Sequence, residues 1–320
     1  MKKIGIIVLT LLTFFLVSCG QQTKQESTKT TISKMPKIEG FTYYGKIPEN
    51  PKKVINFTYS YTGYLLKLGV NVSSYSLDLE KDSPVFGKQL KEAKKLTADD
   101  TEAKKLTADD TEAIAAQKPD LIMVFDQDPN INTLKKIAPT LVIKYGAQNY
   151  LDMMPALGKV FGKEKEANQW VSQWKTKTLA AKKDLHHILK PNTTFTIMDF
   201  YDKNIYLYGN NFGRGGELIY DSLGYAAPEK VKKDVFKKGW FTVSQEAIGD
   251  YVGDYALVNI NKTTKKAASS LKESDVWKNL PAVKKGHIIE SNYDVFYFSD
   301  PLSLEAQLKS FTKAIKENTN

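Results

Sequence analysis

Three residue types are nearly missing from this 320-residue chain: it has one cysteine, Cys19, three histidines, His186, His187 and His287, and one arginine, Arg214. A single cysteine excludes a disulfide within the chain and a cluster of thiolates, and no paired Cys-His chemistry is found. Stability must therefore come from a packed core. Histidines 186 and 187 are adjacent, and neighbours on a helix point about 100 degrees apart, which suits solvent or cap positions better than a shared metal. His287 reads as a strand-edge residue. A direct transition-metal receptor would need three or four His, Asp or Glu ligands, and no residue pair stands out as haem ligands. No nucleophile elbow and no phosphate-cradling loop is present, and "GRGGE" lacks the G-x-G-x-x-G spacing of a dinucleotide loop. These absences leave the commoner enzyme chemistries without support, and the expectation is a non-enzymatic protein with no cofactor or metal of its own.

Lysine supplies nearly all the positive charge: the chain has 46 Lys and Arg, of which Arg214 alone is a guanidinium, and a formal net charge of +10. Removing Lys2 and Lys3 lowers that charge to +8. Lysines spread singly along every segment make a solvated surface, and no nucleic-acid motif accompanies them. Near the N-terminus the excess favours anionic lipid or cell wall.

Lys2 and Lys3 precede an apolar run from Ile4 to Val17, too short to remain as a spanning helix, so residues 1–19 read as a signal peptide. The ending Leu16-Val17-Ser18-Cys19 resembles a bacterial lipobox, which implies lipidation of Cys19 and attachment to the outer face of the cell membrane. Residues 20–50 then form a tether, polar and disordered at least to about Pro36.

Beyond the tether, short β-rich runs alternate with helical ones. "VINFTYS", "YTGYLLKLGV", "VSSYSL", "TEAIAAQ", "DLIMVF", "INTLKKIA" and "TLVIKY" predict an N-terminal α/β lobe over 51–160 with a largely parallel sheet. A second series from "TFTIMDFY" through "NIYLYG", the helix candidate "GRGGELIYDSLG", "YALVNI" and "HIIESN", closed by a helix after Pro301, predicts a C-terminal lobe over 191–320. Between them, 163–190 contains no proline or glycine and carries an apolar stripe through Ala167, Trp170, Val171, Trp174, Thr178, Ala181, Leu185 and Ile188. At 1.5 Å per residue this predicts a rigid spine helix of about 42 Å. The fold class is thus α/β, two lobes joined by a spine helix. "EAKKLTADDT" occurs twice in tandem over 92–111; the second copy is expected to cap the next helix with Asp110-Thr111, and the first to bulge out.

The blocks "YLYGNNFGRGGELIYDSLG", "KKGWFTVSQEAIGDYVGDY" and "VWKNLPAVKKGHIIESNYDVFYFSDP", taken with the lipobox and spine, resemble class III solute-binding lipoproteins of siderophore ABC importers. The similarity is nearest to ferric hydroxamate receptors of the FhuD type from Gram-positive bacteria. That resemblance implies a monomeric receptor that captures ferric hydroxamates such as ferrichrome, with the iron held by the siderophore, and passes them to a permease. It implies ligand contacts at Tyr208, Phe212 and Arg214, at Tyr145 with Tyr150 beside it, and at Tyr297 in preference to Phe296; Tyr59 and Tyr61 are added from their position after the first strand. Phe212 stands where tryptophan is usual, keeping a stacking face but losing the indole N–H. Glu112 and Glu246 match the surface glutamates that meet basic residues of the permease. Other readings are a receptor for a citrate-type siderophore or haem, or a surface adhesion lipoprotein that keeps the fold.

A ferric trihydroxamate is compact, neutral at iron and rimmed with oxygens, so an aromatic cleft with one or two donors suits it. Arginine offers a planar fork that bonds two oxygens and stacks on a ring, which a hydrated lysine ammonium does not.

Overall fold

The computed structural model describes residues 35–92, 104–201 and 204–318. The signal peptide, Cys19, the tether up to residue 34 and residues 93–101 of the first repeat lie outside the described residues.

Two sheets carry the fold. The first has the order β1-β6-β5-β2, where β1 is Phe41–Tyr44, β2 Val54–Asn56, β5 Leu121–Phe125 and β6 Thr140–Ile143. Strands β2, β5 and β6 run parallel, and β1 pairs antiparallel with β6, Phe41 opposite Ile143. The tether drawn to residue 50 is therefore too long: Phe41 is buried and its strand closes the sheet edge. Proximity to the polar leader hid a short β-rich run.

Strand β5 shows why the run "LIMVF" is continuously apolar. Leu121 and Met123 face the main core, while Ile122 and Val124 face a smaller core beneath helices Thr111–Ala116 and Ile131–Ile137. A strand covered on both faces has no polar side, and each fully buried Leu, Ile or Val contributes about 1.5–3 kcal/mol.

A small parallel pair joins β3 (Ser74–Tyr75) to β4 (Lys104–Lys105). The second repeat thus enters the fold: it supplies β4, and Leu106 is buried with its N–H on the Tyr75 carbonyl at 3.1 Å. Asp110 precedes helix Thr111–Ala116 without capping it; its carboxylate turns back to accept from Thr107 N at 2.9 Å and Thr107 Oγ1 at 2.8 Å.

The second sheet has the order β11-β10-β7-β8-β9, with β7 Phe195–Tyr201, β8 Asn204–Tyr208, β9 Trp240–Val243, β10 Tyr255–Ile260 and β11 Ile288–Asn292. β7, β10 and β11 are parallel, whereas β7-β8-β9 is an antiparallel meander.

Helix Glu164–Leu185 lies between the two series of strands. It ends at Leu185 instead of reaching 190, because His186 begins a run of turns; its 22 residues span about 33 Å. The apolar stripe is as expected, with Trp170 and Trp174 buried and stacked at 5.8 Å. Glu305, on helix Pro301–Glu317, accepts from Trp170 Nε1 at 3.0 Å and pairs with Lys67 at 3.3 Å and Lys177 at 3.2 Å. Three helices from distant parts of the chain are tied at one carboxylate. Tyr64 adds a second tie, its hydroxyl lying 2.8 Å from the Tyr150 carbonyl and 3.1 Å from the Ser299 carbonyl. No helix among the described residues is long and apolar enough to cross a membrane.

Candidate binding cleft

A cleft of about 590 Å³ opens between loops of the two sheets. Its first wall comes from the loop after β2 and the loop after β6. Buried Asn56 shapes the first of these: its Oδ1 accepts from Thr58 N at 3.0 Å and its Nδ2 donates to Thr62 Oγ1 at 2.7 Å. Thr62 Oγ1 donates to the buried Glu80 carboxylate at 2.6 Å. This chain of bonds fixes the turn that presents Tyr59 and Tyr61. Both rings meet Phe125 edge-on, at 5.5 and 5.6 Å, and Phe125 meets Tyr145 in the same way at 5.6 Å. Tyr145 remains 45% exposed, the least covered ring of the group. Tyr150 starts helix Tyr150–Val160, which Asn149 caps by accepting from Leu151 N and Asp152 N.

Ser222 settles the direction of the Tyr150 hydroxyl. Its Oγ donates to the Glu217 carbonyl at 2.9 Å and receives Trp174 Nε1 at 3.2 Å. With its one proton used, the 2.7 Å contact to Tyr150 is a bond donated by the tyrosine. Lone pairs of Tyr150 are what remain for a partner.

The second wall is built around the single arginine. Gly213, Arg214 and Gly215 take φ values of +72, +63 and +100 degrees, a left-handed run followed by the π-helical turn Glu217–Ser222. A helix was expected over this block; the i to i−5 bond from Leu223 N to the Leu218 carbonyl, 2.9 Å, shows the wider turn. The flanking glycines are required for two reasons. A Cβ at Gly213 would stand 2.3 Å from the Tyr297 carbonyl and one at Gly215 2.8 Å from the Phe296 ring, and both backbones are left-handed. Arg214 itself occupies a conformation that costs a non-glycine residue of order 1–3 kcal/mol. Asn259 Nδ2 anchors its carbonyl at 3.1 Å.

Arg214 is only 7% exposed. Its Nε donates to Asp199 Oδ2 at 3.3 Å, Nη1 to the Tyr297 carbonyl at 3.0 Å and Nη2 to the Tyr293 hydroxyl at 3.3 Å. Its guanidinium carbon lies 3.7 Å from the Tyr297 ring centre. Three of five N–H donors are used, leaving two. Burial opposes the guanidinium charge, but the phenols of Tyr293, Tyr208 and Tyr297 and the Asp199 carboxylate outweigh it and hold its pKa above the ordinary value. Burial pushes the Asp199 carboxyl up, against the pull of Arg214 and of the Tyr208 hydroxyl.

Seven of the expected residues line this one cleft: Tyr59, Tyr61, Tyr145, Tyr150, Phe212, Arg214 and Tyr297. Two do not. Phe296 is fully buried against Gly215, because one step along helix Tyr293–Phe296 turns a side chain by about 100 degrees relative to Tyr297. Tyr208 sits one layer back, 6% exposed, donating to Asp199 Oδ1 at 3.0 Å and stacked 6.1 Å behind Phe212. Glu112 and Glu246 are exposed, the first in the opening turn of helix Thr111–Ala116 and the second in a turn before Ile248–Asp250. The Ser244 side chain holds the Glu246 carboxyl below its ordinary pKa.

Sequence reasoning missed Asp199, Tyr293, Tyr64 and Glu217. Asp199 had a readable signal: a carboxylate inside the apolar strand "FTIMDFY" needs a buried partner, and the chain has one arginine. Among the described residues no group of three or more His, Cys, Asp or Glu could hold a metal ion.

The profile of the periplasmic binding protein family matches residues 54–294. The chain is 34% identical over 327 residues to the iron(3+)-hydroxamate-binding protein YxeB of Bacillus subtilis, spanning 98% of this chain and 96% of that protein. It is 32% identical over 323 residues to the iron(3+)-hydroxamate-binding protein FhuD of the same organism, spanning 98% of each. Its fold is similar to that of FhuD2 from Staphylococcus aureus with bound ferrioxamine B, with a TM-score of 0.76, 30% identity, and coverage of 84% of this chain and 100% of that one.

Proposed function

Since the chain belongs to the periplasmic binding protein family, we propose that it is the substrate-binding component of an ABC importer and captures ferric hydroxamate siderophores, ferrichrome among them. The observation that carries this reading is the charge state of the cleft. Its one guanidinium is already balanced by Asp199, so Arg214 offers two N–H donors beside aromatic faces without an unbalanced charge of its own, and the lysine of the lining, Lys238, is outnumbered there by Glu217 and Asp221, so the cleft carries no surplus of positive charge. A neutral, oxygen-rimmed chelate fits that arrangement; a polycarboxylate chelate would require surplus positive charge. The relatives named for iron(3+)-hydroxamate binding and the neighbour with ferrioxamine B support the same ligand class.

Ligand contact is assigned to Phe212, Arg214, Tyr297, Tyr145, Tyr150, Tyr59 and Tyr61, with Tyr208 supporting Arg214 from behind. The lobes take the limits 51–160 and 191–320, with Phe41–Tyr44 added to the first, and the spine keeps their relative motion small. Cys19 carries the lipid that holds the monomer on the outer face of the cell membrane, and Glu112 and Glu246 meet basic residues of the permease. The test is a titration of intrinsic fluorescence in the full chain. Saturable quenching by micromolar ferrichrome, but not by ferric citrate or haem, is expected; quenching by ferric citrate alone would overturn the assignment.

A further inference from the structure

One carboxylate on the cleft has no ligand contact assigned to it above. Glu217 opens the π-helical turn, lines the cleft and is 4% exposed. Its Oε1 accepts from Gly213 N at 3.0 Å, while Oε2 has no hydrogen-bond partner. A buried carboxylate oxygen without a donor is an expensive arrangement unless something else supplies one.

The surrounding charges do not supply it. Arg214, three residues earlier, is turned to Asp199, Tyr293 and the Tyr297 carbonyl. Asp221 adds a second carboxylate to the same lining, its Oδ1 accepting from Asn210 Nδ2 at 3.0 Å. Lys238 also lines the cleft, but is exposed and makes no ion pair with either acid among the described residues. The other titratable groups acting on Glu217 are phenols, Tyr64, Tyr145 and Tyr150, and Ser299 offers a hydroxyl. Burial pushes the Glu217 carboxyl up to about 7, with Asp221 adding to the rise, although the Gly213 N–H, its own N–H and the Ser299 hydroxyl pull it down, so the group gains and loses its charge near neutrality.

We propose that Glu217, with Asp221 beside it, forms a cation subsite of the cleft that receives a primary ammonium carried by the ligand, and so ranks amine-bearing ferric hydroxamates above acylated ones. This rests on the hydroxamate reading and extends it to ligand choice. The sign with pH follows directly. An alkylammonium titrates near that of lysine, about 10, and stays charged from pH 6 to 8. Glu217 loses its negative charge as pH falls through about 7, so preference for the ammonium weakens on acidification and strengthens above neutrality.

The experiment uses two chelates with the same iron centre: ferrioxamine B, whose linear chain ends in one primary amine, and its N-acetylated form. At pH 8 the full chain is expected to bind ferrioxamine B about tenfold more tightly than the acetylated form, the scale of one charge-assisted hydrogen bond, and the ratio should shrink towards one at pH 6. Glu217→Gln keeps an acceptor for Gly213 N–H, and should erase the ratio at pH 8 while leaving affinity for the acetylated chelate within about twofold. Asp221→Asn, on an exposed side chain, should reduce the ratio in part and serves as the second variant should Glu217→Gln not fold. Equal affinity for the two chelates in the wild type at pH 8, or a ratio that does not move with pH, overturns the subsite alone. Failure to bind either chelate overturns the hydroxamate reading and the subsite with it, and ferrichrome titration distinguishes the two failures.

Discussion

The two walls of the cleft are made of the same kinds of side chain and held in opposite ways. On the first, Tyr59, Tyr61 and Tyr145 meet Phe125 edge to face, and Tyr145 is nearly half exposed. On the second, Arg214 is buried in a left-handed turn, clamped by Asp199, Asn259, Tyr293 and the Tyr297 carbonyl. Rings in edge contact can shift by a rotamer at small cost. A charged fork held at three donors cannot. The first wall therefore supplies adaptable contact area and the second sets the orientation of whatever binds.

Removing the charge that balances the fork should have the largest effect. Asp199→Asn leaves the guanidinium buried without its counter-charge, and a loss of about 3–5 kcal/mol in urea unfolding is expected. A change below 1 kcal/mol would place both walls on the same footing. Next comes the turn itself. In Gly213→Ala a methyl meets the Tyr297 carbonyl in a left-handed backbone, and a cost of about 1–3 kcal/mol in stability, with weakened ferrichrome binding, is expected. On the first wall, Tyr145→Ala should cost about 1 kcal/mol of ferrichrome affinity and leave unfolding stability within about 0.5 kcal/mol, because the ring is so exposed. If Tyr145→Ala unfolds the protein as readily as Asp199→Asn, the contrast fails. The smallest effect on binding belongs to Glu112→Ala and Glu246→Ala, which should leave ferrichrome affinity unchanged while lowering iron uptake by cells; unimpaired uptake would separate these carboxylates from permease docking.

Much of this arrangement could be read from the chain, and the unread part has a common cause. Alternation of apolar runs located β2, β5, β6, β7, β8 and β10 because burial imposes a local period. Arg214 was visible through rarity alone. Its partner was not: Asp199 lies on β7, and the antiparallel pairing with β8 that sets it beside Tyr208 is a tertiary fact. Phe296 and Tyr297 were inseparable in sequence because both are aromatic, and only the phase of a four-residue helix turns one into the core and the other into the cleft. The orphaned oxygen of Glu217 depends on where Gly213 N–H and the Arg214 fork point, which no spacing encodes.

Arg214→Lys isolates the central claim, because it keeps a positive charge for Asp199 and removes only the planar fork, in a chain that uses lysine at every other basic position. Calorimetric titration of this variant with ferrichrome should show affinity lowered by about 1–2 kcal/mol, or roughly 5- to 30-fold, while unfolding stability falls by less than in Asp199→Asn, because the charge facing Asp199 is kept and only the bonds of the fork are lost. Wild-type affinity in Arg214→Lys would contradict the account, since a point charge would then serve the ligand as well as the fork.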